Sequence, residues 1–375
     1  MSNRLTADAV AALEERVGTW LLESPIRVRE GAHRGGVLGW LSDDASSLYV
    51  YPEAIGYYLT TMRFMMNASP LRATQAMAAL TDAFAWLERA TADGRVPPTR
   101  VYLSEGQHDW RNDATFAFDC AIVARGLVAA ADVVGAARAR AVLEPFAQAL
   151  RDMVTDDTLA PFTSLNASAT WPHTWSTGAW VHHVKAVAAL ELCRREPWTT
   201  DLVPSPNHIA DHWRHVLAAP VPDQAEMHPW LYGLEGLLLL GLTRGDRGLI
   251  EDAGAAFTRL GSLALNGWMP GTAAGGTRRG DVQAQTLRLA AAFHLAGLDV
   301  DQSLSSLALH ALTEHITPGG AVTFALAGST GTTQLNTWAA LFAYQALALL
   351  NEPPRARRAR ASTVSDDRAL LLLIA

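Results

Sequence analysis

Helical segments recur along this chain in pairs, joined by connections that alternate between long and short. Apolar residues at helical spacing mark twelve segments, at about 4–22, 51–67, 70–90, 112–131, 134–154, 175–197, 204–218, 227–243, 246–263, 280–297, 299–315 and 334–351. The even-numbered segments begin roughly fifty to sixty residues apart, six times over. This regular order predicts an all-α protein, an (α/α)6 toroid with six inner and six outer helices, as a single domain over residues 1–351.

The two sets of segments differ in composition. Even-numbered segments carry glycine and aromatic residues within nearly continuous apolar runs, as in Trp230-Leu-Tyr-Gly-Leu-Glu-Gly-Leu-Leu-Leu-Leu-Gly. Odd-numbered segments, such as 71–90 and 134–154, are amphipathic with Arg, Asp and Gln on one face. Because a helix that is apolar nearly all round is buried, we expect the even-numbered set inside the ring. All inner helices then begin at one end, under the long connections, where we expect a pocket.

Composition excludes several classes of protein. Of the 375 residues, 49% are apolar and 18% are charged, which suits a large core and argues against disorder. The net charge of -7 and the lack of a basic stripe with interleaved aromatics argue against a nucleic-acid partner. No apolar run reaches the roughly twenty residues of a membrane span. The N-terminal residues also lack an apolar signal core, so we expect a cytoplasmic protein.

Motifs for metals and cofactors are missing from the sequence. The two cysteines, Cys120 and Cys193, exclude a disulfide framework and a cysteine-rich zinc site. The chain has no His-Glu-x-x-His and no Gly-x-Ser-x-Gly, and its Gly271-Thr-Ala-Ala-Gly-Gly-Thr stretch follows no predicted strand. We therefore expect neither a metal nor a cofactor.

The C-terminal segment, residues 352–375, departs from the helical pattern. Pro353-Pro354 ends the last helix, four arginines follow closely, and the chain is apolar again from Leu370. Two interpretations remain open. The segment is either a flexible tail whose apolar end docks on the body, or a contact with a partner or an anionic surface.

Residues at positions i, i+4 and i+7 of an inner helix share one face and are the candidates for the pocket. His228, Tyr232 and Glu235 align in this way on the fourth inner helix, and Glu53 and Tyr57 align on the first. A carboxylate within an apolar run is costly unless it is paired or lines a wet cavity. Glu53 also fits a helix-capping role and Glu235 a structural bond to a neighbouring helix. We predict these five residues as catalytic.

Further residues near the starts of the inner helices are predicted to bind substrate. They are Tyr51, Trp110, Asp113, Asp119, His173, Trp175, His182, Asp281, Gln285, Arg288, Asn336 and Trp338. Aromatic walls with a few polar groups suit sugar rings or other amphipathic ligands. Proton transfer is the chemistry best matched to Glu, Tyr and His side chains.

Five stretches between residues 51 and 345 resemble known motifs, in the same order. Tyr51-Pro-Glu-Ala-Ile-Gly-Tyr is similar to Tyr-Pro-Glu-(Val/Ile)-Thr-Gly-Tyr, and Phe118-Asp-Cys-Ala-Ile-Val-Ala-Arg-Gly-Leu to Phe-Asp-Thr-Gly-x-Val-Leu-x-Gly-Leu. His228-Pro-Trp-Leu-Tyr-Gly-Leu-Glu-Gly-Leu resembles His-Thr-Ile-Ala-Tyr-x-Leu-x-Gly-Leu. Gly280-Asp-Val-Gln-Ala-Gln resembles Gly-Asn-Ala-Gln-Met-Ala, and Leu335-Asn-Thr-Trp-Ala resembles Pro-Asn-Trp-Ala. These motifs occur in bacterial proteins related to the C-terminal α/α-toroid domain of D-glucuronyl C5-epimerases.

The resemblance implies a toroid with a shared pocket, and an enzyme that acts on uronic acids or related glycans. An epimerase of this type removes and returns the proton at C5, next to the carboxylate, with Tyr and Glu side chains. Carried onto this sequence, these roles point to Tyr51, Glu53, Tyr57, His228 and Tyr232.

Three functional hypotheses follow from the sequence. The first is a cofactor-independent enzyme that acts on a carbohydrate or uronate by epimerisation, elimination or hydrolysis. The second is a zinc-independent, cyclase-like enzyme that modifies a peptide or natural product on the same fold, although the Asp-x-Asp-Asp cluster of terpenoid cyclases is missing. The third is a binding scaffold without catalysis. The expected partner is accordingly a small-molecule, glycan or peptide substrate.

Overall fold

The computed structural model describes residues 5–42, 47–155, 158–206, 208–264, 267–326 and 334–351. These residues form the α-helices α1 (Ala7–Glu23), α2 (Pro52–Ala68), α3 (Ala73–Ala90), α4 (Ala117–Val134), α5 (Ala136–Met153), α6 (His183–Arg194), α7 (His208–Ala218), α8 (Met227–Arg244), α9 (Arg247–Arg259), α10 (Gly280–Leu295), α11 (Gln302–His315) and α12 (Thr337–Asn351). The predicted tail, residues 352–375, lies outside the described residues.

The even-numbered helices form a closed inner ring. α2, α4, α6, α8, α10 and α12 contact one another in this order, and α12 contacts α2 to complete the circle. Each odd-numbered helix packs on the outside, α1 against α12 and every other one against the inner helix before it. The predicted (α/α)6 toroid is therefore confirmed. Within the described ranges, no helix is both long and apolar enough to cross a membrane.

Burial follows the composition of the two helix sets. In the inner helix α8, every residue from Met227 to Thr243 is buried. In the outer helix α9, burial is confined to one stripe that includes Leu249, Ala253 and Phe257. Apolar residues all round suit a helix covered on every side, and a single apolar stripe suits one with an exposed face. Composition alone therefore assigned each helix to its layer.

Short antiparallel strand pairs join the segments that precede the inner helices. These pairs are β1 (Trp40–Leu41) with β8 (Leu335–Asn336), β2 (Tyr49–Val50) with β3 (Val101–Tyr102), and β4 (Ala114–Phe116) with β7 (Phe162–Ser164). A fourth pair, β5 (Val154–Thr155) with β6 (Thr158–Leu159), follows α5. Each of the first three pairs connects the approaches to two neighbouring inner helices. Backbone hydrogen bonds thereby hold together a rim around the end where the inner helices begin.

The predicted start of the second inner helix is wrong. Residues 110–113 form a 3-10 turn and residues 114–116 form β4, so α4 begins at Ala117 rather than near 112. The Asp109 side chain accepts a hydrogen bond from the backbone N–H of Arg111 and so caps the short turn. Pairing with β7 then satisfies the backbone groups of the next three residues before the helix can start.

The third inner helix also begins later than predicted. Residues 175–177 form a 3-10 turn in which the backbone N–H of Thr174 donates to Thr177 Oγ1 over 3.1 Å. Gly178 is extended, and α6 begins at His183 instead of 175. Trp175 therefore lies in the 3-10 turn, and His182 lies directly before α6. The two rings still meet, with centroids 4.9 Å apart.

Candidate active site

A cavity of about 340 Å³ opens at the end of the ring where the inner helices begin. Every inner helix or the segment leading into it contributes to its wall. Nine of the predicted site residues line it, namely Tyr51, Glu53, Asp119, Trp175, His182, His228, Asp281, Asn336 and Trp338. The pocket was predicted from the orientation of the helices, and the residues in the first turns of α2, α4, α8, α10 and α12 are the ones that reach it.

Two carboxyl groups, the buried Glu53 and the half-buried Asp119, occupy one side of the cavity and are called the carboxyl pair here. They lie in the first turns of neighbouring helices α2 and α4. The Tyr51 hydroxyl donates a hydrogen bond to Asp119 Oδ2 over 3.1 Å. Burial raises the pKa of Asp119 to about 7, although this hydrogen bond and the charge of Arg111 oppose the rise.

The pKa of Glu53 is raised well above its ordinary value, first by burial and then by the negative charge of Asp119. Hydrogen bonds from Tyr51 and Trp338 act in the opposite direction. Two carboxyl groups that share a dry site cannot both ionise cheaply. The carboxyl pair therefore retains a proton near neutral pH and is suited to act as a general acid.

A second polar pair, His228 and Asp281, lies on the opposite wall. In the ring of six inner helices, α8 is the third helix after α2, and α10 is the third helix after α4, so each lies across the ring from its counterpart. His228 Nδ1 is 3.4 Å from Asp281 Oδ2. Burial lowers the pKa of His228 to about 4, while the Asp281 charge opposes this. The imidazole is therefore neutral at pH 7 and can accept a proton.

Arg279 fixes the carboxylate of this pair. Its Nε is 3.0 Å from Asp281 Oδ1, and its Nη2 is 2.6 Å from Asp281 Oδ2. Burial by itself would raise the pKa of Asp281, but the charges of Arg279 and His228 and the hydrogen bonds to the carboxylate hold it below its ordinary value. Asp281 thus stays ionised 3.4 Å from His228 Nδ1, where its charge stabilises the imidazolium once a proton arrives.

Tyr57 and Tyr232, both predicted as catalytic, lie one helical turn deeper than the cavity wall. With Phe342 they form a buried layer, called the aromatic floor here. The rings of Tyr57 and Tyr232 stack across the ring of helices, with centroids 6.3 Å apart and an interplanar angle of 11°. Tyr232 also contacts His228, with centroids 4.4 Å apart. Burial raises the pKa of both phenols well above the ordinary value, so both are protonated at neutral pH.

Glu235 and Arg288 lie deeper still and do not line the cavity. Glu235 Oε2 is 2.5 Å from Lys185 Nζ, and its other oxygen pairs with Arg288. Arg288 also donates to Gln345 Oε1 over 2.7 Å. Both residues therefore belong to a dry ion network, and their predicted roles in catalysis and binding remain predictions. Gln285 is fully buried, and its amide has no hydrogen-bond partner among the described residues.

Three predicted binding residues lie in the rim, outside the cavity wall. Trp110 packs against Phe116 and Trp171, with both ring-centroid distances at 6.2 Å. Asp113 Oδ2 is 3.3 Å from His108 Nε2. His173 is exposed. A substrate larger than the cavity could reach these side chains, and their binding role remains a prediction.

Cavity arginines were missed by the sequence predictions. Arg100, at the start of β3, lies over the Tyr49 ring with its guanidinium carbon 4.6 Å from the centroid. Arg100 and Arg111 both pair with Asp109, at 2.6 and 3.1 Å. Two cations share this carboxylate, and their charges also act on Asp119. Arg100 lies just before β3 and Arg111 in the 3-10 turn, both outside the helices, where helical periodicity gives no signal about which side chains meet.

No protein-family profile and no curated protein matches the chain. Several solved structures share its fold. Cellobiose 2-epimerase from Spirochaeta thermophila DSM 6192 superposes with a TM-score of 0.65 at 15% identity, over 95% of this chain and 98% of that one. An unsaturated glucuronyl hydrolase specific for heparin gives 0.60 at 10% identity, over 90% and 96%. A type II terpene cyclase from Scytonema gives 0.54 at 18% identity, over 92% and 97%; at such identities the likeness establishes the toroid fold.

Proposed function

We propose that this protein is an enzyme that moves a proton on a carbohydrate substrate, most specifically a uronate epimerase. One observation carries the proposal: the carboxyl pair and the His228–Asp281 pair stand on opposite walls of one cavity. Epimerisation requires a proton to leave one face of a carbon atom and a proton to return to the other face. A sugar ring held between the two pairs would have a proton acceptor on one face and a donor on the other.

Neutral His228 takes the proton from the carbon next to the substrate carboxylate, and the C–H electron pair passes into that carboxyl group. Asp281 stabilises the imidazolium that forms. The carboxyl pair then returns a proton to the opposite face, and exchange with solvent restores both pairs. The reverse reaction exchanges the two roles, because an epimerase must act on both stereoisomers.

The lining of the cavity supports an anionic sugar. Trp175 and Trp338 offer apolar faces for a pyranose ring. Arg100 and Arg111 line the cavity, where they share an ion pair with Asp109 and also act on Asp119, so they supply positive charge to the site. A guanidinium binds a carboxylate through paired hydrogen bonds. The ordered motifs that resemble D-glucuronyl C5-epimerase relatives point to the same substrate class, as does the name of the glucuronyl hydrolase structure that shares the fold. The name of the cellobiose 2-epimerase structure supports a carbohydrate in general.

Solvent exchange tests the proposal directly. The protein is incubated in D2O with a glucuronide disaccharide and, as the matched control, with the corresponding glucoside. We expect deuterium to enter at C5 of the uronate, seen as loss of the C5–H signal in the proton spectrum, and no exchange in the glucoside. Release of a reducing end without exchange would identify a hydrolase, and absence of both changes would refute the proposal.

A further inference from the structure

Lysine occurs once in this protein. The other 29 of its 30 Lys and Arg residues are arginine, and the single lysine, Lys185, is fully buried in the inner helix α6. Arginine therefore occupies all the remaining basic positions, and the one lysine lies in the core. The two residues differ physically, because the lysine ammonium is a compact charge whose pKa shifts readily on burial, whereas guanidinium is planar and always charged.

The Lys185 ammonium lies directly beneath the aromatic floor. Its Nζ is 4.2 Å from the ring centroid of Tyr232, 4.9 Å from that of Tyr57 and 5.5 Å from that of Phe342. A cation so close to three ring faces gains from their negative potential. A compact ammonium fits into this space between the rings. A planar guanidinium at the same position would need more room.

Lys185 lies on α6, and each of the other five inner helices adds at least one group to its surroundings. They are Tyr57 from α2, Arg125 from α4, Tyr232 and Glu235 from α8, Arg288 from α10 and Phe342 from α12. Lys185 and Arg288 both pair with one carboxylate, Glu235, and the charge of Arg125 acts on Lys185. These four residues are called the buried charge cluster here. The cluster has an excess of positive charge under a site built around carboxyl groups and histidines.

We propose that Lys185 is a positioning residue whose ammonium, held beneath the aromatic floor by Glu235, supplies a positive charge that acts across this floor on Glu53 and His228. This inference rests on the proposed function for its role in catalysis, although the electrostatic coupling itself does not. Lys185 would act without touching substrate, since its side chain is sealed from the cavity by the floor.

The electrostatic contributions have the sign that the geometry requires. The charge of Lys185 lowers the pKa of Glu53 and also that of His228, while the charge of Glu235 raises the pKa of His228. Burial lowers the pKa of Lys185 itself, and Glu235 opposes this. Other groups that face His228 are Asp281 and Arg279 from α10, His182 from the approach to α6 and Tyr232 from α8.

Nuclear magnetic resonance of the full-length protein tests the coupling without any substrate. Labelling with [15N]lysine gives a single side-chain amine signal. Labelling with [15N]histidine gives signals from all twelve histidines, and the signal that is lost in a His228→Asn variant identifies the imidazole of His228. We expect the Lys185 signal to be that of an ammonium at pH 6. We expect Lys185→Met to raise the pKa of His228 by about one pH unit, the scale of a unit charge acting through a protein interior. Glu235→Gln should not raise it.

A double variant keeps the test decisive if Lys185→Met fails to fold because the buried Glu235 has lost one of its two cationic partners. Lys185→Met/Glu235→Gln removes both charges, and its His228 pKa is compared with that of Glu235→Gln alone. We expect the double variant to have the higher value. Equal values in folded proteins, or a neutral amine signal for Lys185 at pH 6, would overturn the proposal. Both readouts are independent of turnover, so a failed epimerase assay would leave them standing.

Discussion

At the scale of single residues, Asp119 most directly links stability to chemistry. Its half-buried carboxyl group has a pKa raised from 3.8 to about 7. Between these values the native state binds more protons than the unfolded state, so the contribution of Asp119 to stability falls as pH rises. An ionised Asp119 is therefore tolerated at a cost, which is expected where function requires a poised acid.

We predict opposite effects of Asp119→Asn on activity and stability. Turnover should fall by about 10²–10⁴-fold, the usual range for a lost general acid or base. At pH 8 the free energy of unfolding should rise by about 1 kcal/mol, and at pH 4 it should barely change. Urea denaturation at the two pH values measures this. Asp132→Asn, at the far end of the same helix, is the control, and a stabilisation that is equal at both pH values would contradict the explanation.

Tyr51→Phe should move the pH dependence of the reaction. The hydrogen bond from Tyr51 favours the ionised form of Asp119, so its loss should raise the pKa of this carboxyl group further. We expect the alkaline limb of kcat/KM against pH to shift upwards by about one pH unit. Tyr58→Phe serves as the control on the same helix, because the Tyr58 hydroxyl bonds to Leu21 O on the outer side. If the apparent pKa of the alkaline limb is unchanged or lower in Tyr51→Phe, the hydrogen bond from Tyr51 does not stabilise the ionised form of Asp119.

At the scale of elements, the close approach of α2 and α4 brings Glu53 on the first helix near Asp119 on the second. Gly56 and Gly126 face each other where the two helices touch. A Cβ atom on Gly56 would lie 2.6 Å from Ile122 O, and one on Gly126 would lie 2.5 Å from Gly56 O. Both distances are shorter than real Cβ contacts allow, so any side chain here must push the helices apart.

Gly56→Ala is therefore expected to destabilise the protein by about 1–3 kcal/mol, as overpacking of a tight core does. The measurement is the urea midpoint, with the slope of the transition as a check on two-state behaviour. Gly319→Ala is the matched control, since that glycine has open space around it. If both variants have wild-type stability, the two helices are not in contact at Gly56.

At the scale of the whole molecule, Gln345 joins three inner helices near the point where the ring closes. On α12, it accepts a hydrogen bond from Arg288 of α10 over 2.7 Å and donates one to Thr61 Oγ1 of α2 over 2.9 Å. These bonds extend the buried charge cluster to both neighbours of the last helix. Polar groups in this dry interior are costly when their partners are lost.

Gln345→Leu should cost about 2–4 kcal/mol, because it leaves a buried guanidinium with one partner fewer. Thermal unfolding compared with that of Gln302→Leu gives the test. Gln302 is exposed on α11 and bonds only to the side chain of His294 among the described residues. A loss of stability as small as that of the control would show that the network does not support ring closure.

Local pattern predicted the architecture well. Helical periodicity, long and short connections, and the contrast between apolar and amphipathic segments are properties of neighbouring residues, so they indicated twelve helices and their two layers. On α8, the residues predicted to share one face lie at successively greater depth below the mouth, namely His228, Tyr232 and Glu235. Errors occurred where a strand pair or a capped turn competed with the helix, at the starts of α4 and α6.

The sequence by itself thus determined the ring, its orientation and the end of the ring that carries the site, because hydrophobic burial follows from the order of residues along a helix. Only the tertiary structure decided which polar residues face open space. Glu53 and Glu235 look alike in sequence, yet one lines a cavity and the other is paired with Lys185. That difference depends on partners that are distant in the chain. The position of the carboxyl pair opposite His228 depends on such partners too. Distance along the chain carries no information about distance across a closed ring.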